Sequence, residues 1–87
     1  MPIQRNIHHQ GRIPRRTCAG KPKFSKVTGK WSACFEMWAG IPGDEYLAST
    51  VTSGSFFATE DEAYAAQDRA LDVLQETDKF PNMCEPF

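Results

Sequence analysis

The two signs of charge occupy separate stretches of this chain, and that separation limits how much of it can build a core. Residues 1–30 hold eight basic residues (Arg5, Arg12, Arg15, Arg16, Lys21, Lys23, Lys26 and Lys30) and no acid, whereas residues 31–87 hold only Arg69 and Lys79 against all eleven Asp and Glu. A +8 segment thus precedes a −9 one, although the net charge of the 87 residues is only −1. Over residues 1–23 the large aliphatics are Ile3, Ile7 and Ile13 alone, interleaved with three Pro and two Gly. Such a composition buries too little apolar surface to offset the entropy of ordering the chain. The expected organisation is therefore a flexible basic arm over 1–23, a folded domain over 24–77 and a tail over 78–87.

A domain of that size buries only about 60% of its unfolded surface, so it needs a well-filled core. Six Phe, two Trp and two Tyr supply large apolar areas for one. No apolar run approaches the roughly 18 residues of a membrane span, and the start of the chain carries no apolar secretory core, which points to a cytoplasmic protein. Cys18, Cys34 and Cys84 are an odd number at wide spacing and outline neither a disulfide framework nor a C-x-x-C motif. His8 and His9 with Cys18 and Cys34 lack the paired spacing of a structural zinc site. No metal, cofactor or catalytic residue is assigned from the sequence, and the chain is read as a non-enzymatic monomer.

The order of elements is clearer from Phe24 onward. Phe24 to Val27 reads as a short strand ending at the Thr28-Gly29 turn. Residues 31–38 alternate, with Trp31, Ala33, Phe35 and Met37 on one face and Ser32, Cys34, Glu36 and Trp38 on the other, as a strand with one dry face requires. Ile41-Pro42-Gly43-Asp44 fits a type II turn, with Pro fixing φ and Gly supplying positive φ. Tyr46 to Thr52 is the returning strand, broken at Ser53-Gly54-Ser55, with Phe56-Phe57 as a third short strand or a bulged continuation. Thr59-Glu60-Asp61-Glu62 is a capping box opening a helix over 59–76. Its apolar face is expected to be Ala63, Ala66, Ala70, Val73 and Leu74, flanked by Tyr64 and Leu71. The fold class is α+β: a two- or three-stranded antiparallel sheet packed on one C-terminal helix.

Gly29-Lys30-Trp31-x-Ala33, followed by Phe57-x-Thr59-x-x-Glu62-Ala63-x-x-Ala66-x-Asp68-x-Ala70, resembles the ethylene-response-factor DNA-binding domain of plant transcription factors and the related arm-binding domains of integrases. The resemblance covers about residues 24–74 and implies a three-stranded sheet whose outer face enters the DNA major groove. Carried over, Lys23, Lys26, Lys30 and one of the two Trp would contact DNA. The second and third strands depart from the pattern, because no Arg or Lys lies between Trp31 and Arg69. The chain is equally similar to short bacterial proteins of unknown function with the same order of strands and helix.

Two functional readings follow. The favoured one is an interaction module with a protein partner, which would use Trp38 on the polar sheet face and the acidic helix stripe of Asp61, Asp68, Asp72 and Glu76. That stripe tolerates like-charge pairs four residues apart, as a docking face for a cationic partner would. The alternative is a nucleic-acid-binding domain using Arg12, Arg15, Arg16, Lys21, Lys23, Lys26 and Lys30 along phosphates.

Overall fold

The computed structural model describes residues 5–9 and 13–87. Five antiparallel strands precede a single helix: β1 (Asn6–His9), β2 (Arg15–Ala19), β3 (Lys23–Ser25), β4 (Lys30–Ala39), β5 (Tyr46–Phe57) and α1 (Glu60–Thr77). The α+β class stands, with five strands in one sheet rather than two or three. Two of the additional strands, β1 and β2, lie within the segment read from composition as a flexible arm. Alternation explains the difference, since a strand with one wet face needs to bury only every second residue. Ile7 and Thr17 are buried on the helix side and seat β1 and β2 there, while Cys18 is buried on the opposite face beneath Arg16 and Glu36. Arg12 lies outside the described residues.

Long β4 is the axis of the sheet. β5 pairs along one of its edges, from Trp31↔Phe57 to Ala39↔Tyr46, through several register shifts. The other edge is shared: β2 pairs Arg15–Ala19 with Ala39–Phe35, and β3 pairs Lys23–Ser25 with Ser32–Lys30. β2 and β3 are thus one strand interrupted at residues 20–22, and β1 closes the far side of β2. The interruption has a definite cause. Gly20 N–H donates to the Cys34 carbonyl at 2.8 Å, but the reciprocal bond is replaced by the Gln67 side chain. Gln67 Oε1 accepts from Cys34 N–H at 2.9 Å and its Nε2 donates to the Gly20 carbonyl at 2.8 Å. Gly20 also allows a close approach, because a Cβ there would sit 3.1 Å from Cys34 Sγ. On the opposite edge Ser53 Oγ accepts from Ala33 N–H at 2.9 Å, where β5 departs from regular pairing.

The helix covers one face of the sheet. Its buried residues are Ala63, Ala66, Gln67, Ala70, Leu71 and Leu74, a continuous stripe at helical spacing. Val73, expected on this face, is exposed at the margin, and Leu71, expected on the flank, is fully buried. The buried stripe runs through Gln67, a polar residue that an apolar count passes over. Ala33 and Phe35 meet the helix as the alternation requires, and Trp31 packs beside them. Met37 does not join this core; it is half-buried farther along the sheet. Thr59 caps the helix by accepting from Glu62 N–H at 3.1 Å, while the Glu62 carboxylate accepts from Ala58 N–H at 3.0 Å, one residue before the partner a capping box would give it. The Ile41–Asp44 turn closes with Asp44 N–H on the Ile41 carbonyl at 2.9 Å, with Gly43 at φ 89°.

The tail returns to the core. Phe80 lies 5.3 Å from Phe35 and Phe87 lies 6.0 Å from Phe57, ring centre to ring centre. Gly54 N–H donates to the Met83 carbonyl at 3.1 Å. Replacing Gln67 by Leu would strand the Cys34 N–H and the Gly20 carbonyl in a largely dry place, at a cost of about 2–3 kcal/mol. Urea unfolding should show that loss, and amide exchange at Cys34 should accelerate with it.

Candidate functional site

The described basic residues that sequence grouped as one arm are dispersed by the fold into four settings. Lys21, Lys23, Lys26 and Lys30 surround the β3–β4 hairpin, all exposed. Its turn is closed by Gly29 N–H on the Ser25 carbonyl at 2.8 Å. Among the described residues, none of these four lysines forms an ion pair. Phe24 and Trp31 pair across the hairpin with ring centres 5.3 Å apart. Trp31 leans on the core, while Phe24 is 52% exposed. Acids of the first helical turn, Glu60 and Asp61, stand at this end too, because β5 reaches it at Phe57.

Arg16 has a different fate. It pairs across strands with Trp38 on the face away from the helix, and its guanidinium carbon lies 5.2 Å from the centre of the Trp38 ring. Its Nε donates to Glu45 Oε2 at 2.8 Å and its Nη1 to Asn6 Oδ1 at 2.7 Å. The same Nη1 approaches Cys18 Sγ at 3.7 Å, and Cys18 Sγ lies 3.8 Å from Glu36 Oε1. A charge stacked on an aromatic face and held by a carboxylate is a settled group. Trp38, which sequence leaves either as an exposed contact or as a side chain covered by the arm or the tail, is half-buried beneath this cation, with its indole Nε1 buried and without a hydrogen-bond partner among the described residues.

Arg5 engages the acidic stripe. Its Nη1 lies 2.7 Å from Asp72 Oδ1 and 3.4 Å from the Asp68 carbonyl, and its Nη2 lies 2.8 Å from Gln75 Oε1. Asp61, Asp68, Asp72 and Glu76 are all exposed, as a stripe opposite the buried face must be. Of the four, Asp72 alone has an ion pair among the described residues.

The fold gives His9, which lies in the segment read from composition as a flexible arm, a specific place. Its Nδ1 lies 3.2 Å from Asp78 Oδ1 and its Nε2 2.8 Å from Thr17 Oγ1. Asp78 adopts φ 57° at the end of α1 and donates its N–H to the Leu74 carbonyl at 2.8 Å. Carboxylate, imidazole and hydroxyl in series have the order of a nucleophilic relay. Thr17 is fully buried, and the series ties β1 and β2 to the helix end. No sequence signal marked this arrangement, because its three members lie 8 and 69 residues apart.

Beyond the helix end the sheet face is uncovered and forms a trough of about 620 Å³ lined by His9, Arg15, Met37, Ala39, Tyr46 and Asp78 among others. Among the described residues, no cluster of three or more His, Cys, Asp or Glu is placed to hold a metal ion, and no helix is long and apolar enough to cross a membrane. Comparison with known proteins finds no matching family model, no similar curated protein and no similar solved structure.

Replacing Arg16 by Ala should uncover the Trp38 indole. In a Trp31→Phe background, where Trp38 is the only indole emitter, fluorescence should move to the red. Stability should fall by about 1–2 kcal/mol through removal of the stacked, hydrogen-bonded cation.

Proposed function

We propose that the protein is a nucleic-acid-binding module that uses the β3–β4 hairpin. The observation carrying this reading is the group of four exposed lysines, without ion-pair partners among the described residues, around a hairpin that presents a half-exposed aromatic ring. Cations free of internal partners can displace counterions from a phosphate backbone, which supplies most of the affinity of such complexes. Phe24, backed by Trp31, offers a surface on which an unpaired base can stack, so a single strand suits this hairpin better than a duplex.

The competing protein-partner reading draws less support from the same surfaces. Trp38 is covered by Arg16 and Asp72 is held by Arg5, so two of its proposed contacts are engaged within the chain. Arg16 is likewise withdrawn from the nucleic-acid set, and the role falls on Lys21, Lys23, Lys26 and Lys30.

Fluorescence anisotropy with labelled single-stranded DNA, single-stranded RNA and duplex DNA over a salt series tests the reading. Changing all four lysines to Gln should weaken single-strand binding and flatten the plot of log affinity against log salt by about 3, near 0.7 for each phosphate no longer neutralised. Phe24→Ala should cost about 1–3 kcal/mol of single-strand affinity while leaving the salt slope unchanged. An intact chain that binds none of the three at low salt, or a lysine variant that binds as well as the parent, would end the nucleic-acid reading.

A further inference from the structure

The trough at the opposite end of the sheet is built differently from the lysine hairpin. Its floor is the helix-side face of β1, β2, β4 and β5, where His9, Arg15, Ala39 and Tyr46 form one cross-strand row and Thr17, Met37 and Ser49 contribute to the next. One wall is the helix end at Asp78. A concavity of about 620 Å³ falls within the span of small-molecule sites, which combine apolar walls with a few placed polar groups. Here the apolar part is Met37, Ala39 and Ile13, and both Ile13 and Tyr46 are half-exposed.

The polar groups differ in how much freedom they keep. His9 is occupied by Asp78 and Thr17, and the Ser49 hydroxyl donates to Met37 Sδ at 3.3 Å. Arg15 lines the trough, is exposed, and forms no ion pair among the described residues. A guanidinium presents parallel N–H donors whose spacing matches the two oxygens of a carboxylate. The surroundings also set the charge of the anion. Asp78 and the negative end of the helix dipole border the same space and oppose an anion in proportion to its charge, so a monoanion on Arg15 is disfavoured less than a doubly charged phosphate.

We propose that this trough binds a small organic monocarboxylate, its carboxylate on Arg15 and its aromatic or branched apolar body against Met37, Ala39 and Ile13. The site is separate from the lysine hairpin, so its occupancy and nucleic-acid binding stand or fall independently.

The test is an amide chemical-shift titration of the full chain with hydrocinnamate, its neutral counterpart hydrocinnamyl alcohol, and phenyl phosphate. Saturable shifts are expected at Thr17, Met37, Ala39 and Tyr46, strongest with hydrocinnamate. Arg15→Gln should weaken hydrocinnamate by about tenfold, as removal of a charge-assisted pair would, without changing the alcohol. Ser49→Phe, which narrows the trough from an exposed position, should weaken both. The proposal is overturned by an absence of shifts at about 1 mM hydrocinnamate. It is equally overturned if the alcohol or phenyl phosphate binds as tightly as hydrocinnamate, if Arg15→Gln changes nothing, or if the shifts gather at the lysine hairpin.

Discussion

The Gln67 carboxamide stands where a backbone hydrogen bond would otherwise join Cys34 to Gly20, and the layout of the sheet follows from it. A primary amide carries one acceptor and a donor side by side, so it can extend a ladder rung by one amide without leaving either backbone group unpaired. The strand therefore opens at Gly20 and resumes at Lys23, with Pro22 buried in the gap. The helix is tied to the sheet at the same point, which fixes the apolar stripe from Ala63 to Leu74 over Ala33 and Phe35. Polar and apolar contacts share one anchor.

Charge is organised by this frame rather than by position in the chain. Arg5 goes to the helix, Arg16 to the polar face of the sheet, and Arg15 to the trough. Only the residues after the Gly20 break, Lys21 through Lys30, keep their cations together and without ion pairs among the described residues. A run of like charge that composition treats as a single solvated arm is thus divided between internal roles and one exposed hairpin. The uncovered part of the helix-side face arises separately, because α1 ends before the sheet does and leaves Met37, Ala39 and Tyr46 beyond its reach.

Local chemistry was legible in the sequence where one residue type has one use. Thr59 and Glu62 announced the helix start, Pro42-Gly43 the tight turn, and alternation from Trp31 to Trp38 the faces of β4. The helix stripe was legible except at its centre, because Gln67 is buried to 1% exposure for hydrogen bonding, which an apolar pattern does not register. Strands β1 and β2 were hidden for a related reason. Their stability comes from ladder bonds and from neighbours distant in sequence, and alternate positions such as Ile7 and Thr17 give only a weak local signal. Both the His9 relay and the trough depend on that pairing, so neither was visible before the strands were placed.

The clamp between His9 and Asp78 spans 69 residues, and the contact of Arg5 with Asp72 spans 67. These contacts join the first described strand to the last turns of the helix. Chain closure over such a distance carries an entropic penalty that grows only as the logarithm of length, but it delays formation of the contact until the intervening sheet exists. β1 is an edge strand of four residues, held by β2, by buried Ile7 and by polar contacts with the helix. It belongs to the late-forming, early-opening part of the molecule, whereas β4, paired on both edges, belongs to the slowest to open. The trough, one of whose borders is His9, would then exist only in the fully closed state, and anything bound there would act as a latch on the β1 end of the chain.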